Sequence, residues 1–317
     1  MGELSLIKKF RAGAPTHPWI TVGPGQDCAV LNWPADRDQA FKIDQVSEGT
    51  HFVLKGEGAA TPYQVGWKAV AKACSDIAAA GCWPVAAMVA VNLRKGSDEK
   101  VALELYDGIC ACCRRFNFGL AGGDICVSEN GLNVTVSLLG EGAKNSAWTR
   151  NGAQPGDILL VTGTLGGSLK SGRHLSFVPR LEQARRIKEL APGAVHACID
   201  ITDGLGRDLH HLCDESRCGA VVSGDTLPFT RQDGKDIKAD TDLYLRSALC
   251  DGEDFELLMA VDPGAVEQLL QRWNDPVALT RIGTILPEAD GRWLQAKDGT
   301  RSALANVGYE HRTQGSA

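Results

Sequence analysis

No apolar run in this 317-residue sequence approaches the length that crosses a membrane. The longest candidate, PVAAMVAVNL, has the length of a buried strand. The opening residues, MGELSLIKKF, lack the apolar core and small-residue cleavage site of a secretory signal. They also miss the myristoylation pattern, because Ser5 falls one place early and Leu6 occupies the hydroxyl position. Positive charge is in short supply: a net charge of -6 and a pI near 5.7 exclude a basic nucleic-acid footprint. The familiar phosphate loops are missing too. There is no GxxxxGK-S/T; the nearest stretch, GTLGGSLKSG, has Leu169 where the glycine before lysine should stand. GPGQDC is not GxGxxG, and no HRD or DFG set occurs. Solenoid periods and low-complexity tracts are absent.

What is present is the make-up of an ordinary globular chain, 44% hydrophobic and 23% charged, long enough for two domains. Eleven cysteines without a secretion signal imply reduced thiols and a cytoplasmic protein. CAVLNW and AFKID read as short strands. A helix follows, with Thr61 as its cap, Pro62 in its first position, and Gly81 with Pro84 closing it. Ser97, Asp98 and Glu99 open a second helix, whose stripe is Val101, Leu105, Ile109 and Cys112. FGLAGGD and LNVTVSLLGEG read as strands, and the polar segment from Ala143 to Gly156 as a domain junction. GDILLVTGTLGGSL and ACIDITDGLGRDLHHL each read as strand, turn and helix start; AKDGTRSAL reads as an Asp-Gly hairpin. Strands and helices without strict alternation favour an α+β fold.

The chemistry is carried by aspartates. Asp27, Asp44, Asp124 and Asp203 lie beside glycines or at the ends of apolar runs, and Asp76 lies in the helix-like KACSDIAAAG. At these places a carboxylate ends a strand or faces a turn. Two carboxylates ~4 Å apart repel by roughly 4 kcal/mol at an effective dielectric of 20, so a cluster needs cations. The hard cation that takes carboxylate and phosphate oxygens together is Mg²⁺. Phosphate binding would then use metals on carboxylates plus glycine-turn amides. Each residue also has a plain reading. GGD can be a tight turn, Asp76 can pair with Lys72 on one helix face, and Asp200, Thr202 and Asp203 can be capping groups. His51 is a ligand contact or a structural histidine, and Arg150 a phosphate contact or a solvated linker residue. Capping accounts for one of Glu253 and Asp254. Cys110 with Cys113, and Cys213 with Cys218 near His210 and His211, suggest zinc, but small buried thiols are the better reading.

Taken in order, GQDCAVL, Asp44 to Phe52, WKAVAKACSDIAAAG, LAGGD, TRNGAQPGD, VTGTLGG, IDITDGLGRDL, LPF, GEDFEL and VGYEH cover nearly the whole chain. The ordered set resembles the thiamine-monophosphate kinase family, in the superfamily of aminoimidazole ribonucleotide synthetase, selenophosphate synthetase and a hydrogenase-maturation protein. GEDFEL and the terminal GYEH point to the kinase. The resemblance implies an α+β protein of two domains. Residues 1–142 would form an ATP- and Mg²⁺-binding dimerisation domain, a mixed sheet with helices that builds a barrel across a homodimer. Residues 143–317 would form an α/β sandwich-like domain closing over the nucleotide. ATP, with several Mg²⁺, would pass its γ-phosphoryl directly to thiamine monophosphate, with no general base. The resemblance gives Asp27, Asp44, Asp76, Asp124, Asp200 and Asp203 as metal ligands. It places Gly123, Asp124, Arg150 and Thr202 on ATP, and His51, Glu253 and Tyr309 on the thiamine substrate. Alternatives are a related enzyme with another small-molecule acceptor, or a nucleotide-binding paralogue without catalysis. Gln26, Lys42, Ile43, Gln45 and Ile125 depart from the family pattern, and Lys42 is expected to replace positive charge otherwise given by a metal.

Overall fold

A reciprocal capping box opens the first long helix. Thr61 Oγ1 accepts the Gln64 N–H at 3.2 Å, and Gln64 Oε1 accepts the Thr61 N–H at 2.9 Å. The helix runs Pro62–Ala79. The computed structural model to which it belongs describes residues 9, 10, 12–22, 30–229 and 241–309. The chain divides into two units. The first is Met1–Ile77, Cys82–Ala147 and Leu175–Leu181; the second is Ala78–Gly81, Trp148–His174 and Glu182–Ala317.

In the first unit, β1 (Ile20–Val22) pairs with β2 (Val30–Leu31). A four-stranded mixed sheet is built from β3 (Arg37–Ser47), β4 (Trp83–Arg94), β5 (Gly119–Ser128) and β6 (Asn133–Ala143), in the order β3-β6-β4-β5. Only β4 and β5 run parallel in it, joined through the helix Glu99–Arg115. Asp98 caps that helix, accepting the Lys100 N–H at 2.8 Å. Of its expected stripe, Leu105, Ile109 and Cys112 are buried, and Val101 is half-buried.

The two long helices cross with backbones nearly touching. A β-carbon on Gly66 would collide with the Leu105 carbonyl, and one on Gly108 with the Tyr63 carbonyl. Glycine is therefore needed at both crossing points for packing.

The strands run longer than the apolar runs that announce them. β3 continues past Asp44 to Ser47, and β5 past Asp124 to Ser128, so both aspartates are strand-interior rather than strand-ending. The reason is the pleat. Outside the apolar runs, polar residues continue the alternation on half-exposed edge strands. Phe41 and Ile43, 69% and 68% exposed, share the uncovered face with Met88, while Val46 is buried on the other.

The second unit holds seven strands: β7 (Ile158–Thr162), β8 (Val195–Ile201), β9 (Cys218–Ser223), β10 (Glu256–Val261), β11 (Leu279–Pro287), β12 (Arg292–Gln295) and β13 (Arg301–Ala303). Their order is β13-β12-β9-β11-β7-β10-β8, with only β12 and β9 parallel. β7 and β10 are buried along their whole length, and their buried polar ends are paired, Thr162 Oγ1 donating to Glu256 Oε2 at 2.7 Å. The helix Leu205–Ser216 lays Leu205, Leu209, Leu212 and Cys213 into the core with Ile199, Ile201, Ala220 and Val222. The expected hairpin joins β12 and β13 at Asp298 and Gly299, the glycine at φ 86°. The helix expected after GTLGG is a single turn, Ser168–Ser171.

Candidate active site

In the first unit the structure brings Asp44 and Asp76 together through lysines. Lys42 Nζ lies 2.8 Å from Asp76 Oδ1 and 3.4 Å from Asp44 Oδ2, and Lys72 Nζ lies 3.1 Å from Asp44 Oδ1. Lys72 thus reaches across to the strand, and Lys42 holds Asp76. Asp44 Oδ2 is buried and has no hydrogen-bond partner among the described residues. Asp124 is not part of this group. The register runs Asp44↔Val136, Val136↔Val89 and Val89↔Gly123, so Gly123 shares the row of Asp44 and Asp124 falls on the other face, opposite exposed Ala90. Gly123 is required locally: a β-carbon there would strike the Val89 carbonyl. Asp27 lies outside the described residues.

His51 stands in the turn after β3. Its Nδ1 accepts the Ser47 N–H at 3.1 Å, which puts the hydrogen of a neutral ring on Nε2. Lys68 anchors this turn by donating to the His51 carbonyl at 2.7 Å, although its residue is fully buried. Nothing in the local sequence marks Lys68, because its partner lies in another element.

In the second unit four expected residues converge through the backbone. The Glu253 N–H donates to the Thr202 carbonyl at 2.7 Å, and the Tyr309 N–H to the Asp203 carbonyl at 2.9 Å. Asp200 is buried at the end of β8. Neither Thr202 nor Asp203 caps the following helix, whose N-cap is Gly204 without a side-chain cap. Asp208 organises the turn instead. Its Oδ2 accepts the N–H groups of Thr202 at 2.9 Å and Asp203 at 3.0 Å. Burial first, then the charges of Asp200 and Asp203, push its carboxyl up to about 8. The charges of Asp200 and Asp203 thus set a negative potential at the end of β8 that favours the protonated form of Asp208. Arg150 is exposed, with its carbonyl tied to Ser216 Oγ at 2.8 Å.

The glycine-turn amides are already engaged. Gly166 N–H donates to Asp254 Oδ2 at 2.9 Å and Gly167 N–H to Asp251 Oδ2 at 3.0 Å, so GTLGG binds one aspartate within GEDFEL and one just before it rather than offering these amides to phosphate. Asp254 also takes Arg173 Nη2 at 2.6 Å, and burial pushes its carboxyl up to about 7. Glu253 and Phe255 are left-handed at φ 63° and 54°, a strained arrangement for non-glycine residues. These contacts, with Ser168 Oγ donating to the Glu253 carbonyl at 2.6 Å, fix Glu253 in place.

Asp208→Asn has a defined outcome. The amide oxygen can still accept both N–H groups, but the titration disappears. A carboxyl raised above its unfolded value of about 3.9 favours folding at low pH and loses that advantage as pH rises toward about 8. In metal-free buffer, melting temperature against pH should therefore be flatter for Asp208→Asn between these limits. An unchanged slope would show that Asp208 does not titrate there.

Among the described residues no three His, Cys, Asp or Glu side chains form a ready metal cage, and the described cysteines are free thiols. Burial raises the thiols of Cys112, Cys113 and Cys198, in keeping with packed, unreactive groups. The carboxylate oxygens nonetheless fit a hard divalent cation. At Asp44 a buried oxygen makes no hydrogen bond among the described residues, with the Lys42 ammonium 3.4 Å from it, and the charges of Asp200 and Asp203 lie close enough to raise the Asp208 carboxyl.

The two-unit fold and these carboxylates define a class. Residues 25–142 match the family "AIR synthase related protein, N-terminal domain", and residues 154–293 match the corresponding C-terminal domain. The chain is 33% identical to a thiamine-monophosphate kinase of Rhodopirellula baltica, across 98% of this chain and 97% of that relative. The crystal structure of thiamine-monophosphate kinase from Stenotrophomonas maltophilia K279a superposes with a TM-score of 0.78 at 27% identity, covering 96% of this chain and 98% of that one. AaThiL complexed with AMPPCP and TMP gives 0.72 at 26% identity, covering 98% and 96%. The chain belongs to the thiamine-monophosphate kinase family. Among the described residues, no helix is long and apolar enough to cross a membrane.

Proposed function

We propose that this chain transfers the γ-phosphoryl of ATP to the phosphate of thiamine monophosphate, giving thiamine diphosphate and ADP, in the cytoplasm. The observation that carries this reading is the fixed grouping of Thr202, Asp203, Glu253 and Tyr309 in a chain 33% identical to a thiamine-monophosphate kinase. Residues 1–142 are the ATP- and Mg²⁺-binding and dimerisation domain, and 143–317 the C-terminal domain. In the first, Asp27, Asp44 and Asp76 would hold Mg²⁺; Asp124, on the other sheet face from Asp44, would hold Mg²⁺ away from Asp44 and Asp76 and, with Gly123, meet the nucleotide. In the second, Asp200 and Asp203 would hold Mg²⁺, with Arg150 and Thr202 on the nucleotide. His51, Glu253 and Tyr309 bind the thiamine substrate, Tyr309 by packing on a ring.

Bound Mg²⁺ would neutralise two polyanions brought into line, the main requirement of phosphoryl transfer. The chain's own part is positioning. The Asp208 carboxyl fixes the backbone of Thr202 and Asp203, and Ser168, with Asp254 and Arg173 beside it, fixes Glu253. No side chain needs to remove a proton, because the acceptor phosphate oxygen is already ionised near neutral pH.

An acceptor screen tests this reading. Purified chain with ATP and Mg²⁺ should release ADP rapidly with thiamine monophosphate and slowly with other phosphomonoesters. Faster release with a different acceptor would sink it. The chain should also sediment as a homodimer, since Phe41, Ile43 and Met88 leave an apolar sheet face exposed at 69%, 68% and 49%. Phe41→Asp should shift it to monomer. A parent chain that is monomeric at micromolar concentration would rule the dimer out.

A further inference from the structure

We infer that Lys42 is a built-in cation that takes the place of one divalent metal ion at Asp44 and Asp76. The inference rests on the proposed metal-dependent reading and deepens it. Lys42 Nζ contacts both carboxylates, at 2.8 Å from Asp76 Oδ1 and 3.4 Å from Asp44 Oδ2. Lys72 Nζ closes the group at 3.1 Å from Asp44 Oδ1. These four side chains carry two positive and two negative charges, so the lysines offset the carboxylates directly. Its members are only 12–30% exposed, so water screens them weakly and the balance matters.

Geometry separates Lys42 from Lys72. Lys72 is on the helix and pairs with Asp44, whereas Lys42 bridges the strand carboxylate and the helix carboxylate. A bridging position between two carboxylates is one that a divalent cation takes when no ammonium is there. Asp44 Oδ2, buried and held by Lys42 through a 3.4 Å ion pair without a hydrogen bond, is the atom such an ion would claim. The ammonium carries one charge and cannot be exchanged, so the chain has traded an exchangeable double charge for a permanent single one. Removing Lys42 should expose a latent metal site.

The test is Mn²⁺ binding, followed by the paramagnetic resonance of the free ion, with the β,γ-methylene analogue of ATP saturating. Lys42→Ser should bind one more Mn²⁺ per chain than the parent, and Lys42→Gln should do likewise if serine impairs folding. Adding Asp76→Asn to either should remove the extra ion. Mn²⁺ should also raise the melting temperature of Lys42→Ser more than that of the parent. Equal, non-zero stoichiometry in parent and variants would overturn the role of Lys42 while leaving the metal-dependent reading intact. Mn²⁺ binding by neither would overturn both.

Discussion

Asp203→Asn should lower thiamine diphosphate formation at least ~100-fold, the scale of losing one preorganised electrostatic contact to the transition state. It should do so with almost no loss of stability. The backbone of Asp203 makes the structural contacts: its N–H binds Asp208 and its carbonyl accepts from Tyr309. Asparagine leaves both intact. It also removes one of the negative charges that raise the Asp208 carboxyl, so the variant should melt within about 2 °C of the parent, or slightly above it. A site that is more stable without its charge is one held for function. Initial rates across a Mg²⁺ titration, with melting curves beside them, check both halves. Near-full activity at every Mg²⁺ concentration would remove Asp203 from the metal set.

Arg173→Ala should have the opposite profile, a large loss of stability. Its guanidinium binds Thr164 Oγ1 at 2.7 Å and Asp254 Oδ1 at 2.6 Å, and the Asp254 side chain is fully buried. Removing one partner of a buried pair leaves the other charge stranded, at about 3–5 kcal/mol. For a chain of this size that is about 10 °C in melting temperature. The sign of the pH dependence follows from Asp254. Burial already lifts its carboxyl to about 7, and Arg173 is one of the groups pulling it down, so without Arg173 it rises further. A raised carboxyl favours folding at low pH and costs stability as pH rises through its folded value. The deficit of Arg173→Ala should therefore be larger at pH 8 than at pH 6, and Asp254→Asn added to it should recover part of the loss. A pH-independent deficit would contradict the stranded-charge account.

Much of the fold was legible because the signals were local. Thr61 and Pro62 marked a helix start, the alternation in LNVTVSLLGEG marked β6, and Asp298 with Gly299 marked a hairpin. What failed was long in range. Lys42 meets Asp76 from a different element, and Gly166 and Asp254 meet across many residues of sequence. Gly66 and Gly108 look like helix-weakening residues until the two helices cross on them. Asp44 and Asp124 end apolar runs but not strands, because polar residues continue both edge strands beyond them. The carboxylates proposed for the site stand in motifs that the sequence displays. The roles of Asp208, Arg173 and Lys68, which hold the backbone of Thr202 and Asp203, the Asp254 carboxylate and the His51 turn, are not legible, because each acts on backbone or buried charge that only the fold brings near.

Phosphorus NMR of the reaction tests the central claim most directly. Purified chain, ATP, Mg²⁺ and thiamine monophosphate should lose the γ-phosphoryl signal of ATP while the two coupled phosphates of thiamine diphosphate appear, one diphosphate for each ADP. ADP accompanied by inorganic phosphate, with the thiamine monophosphate signal unchanged, would contradict direct transfer to that acceptor.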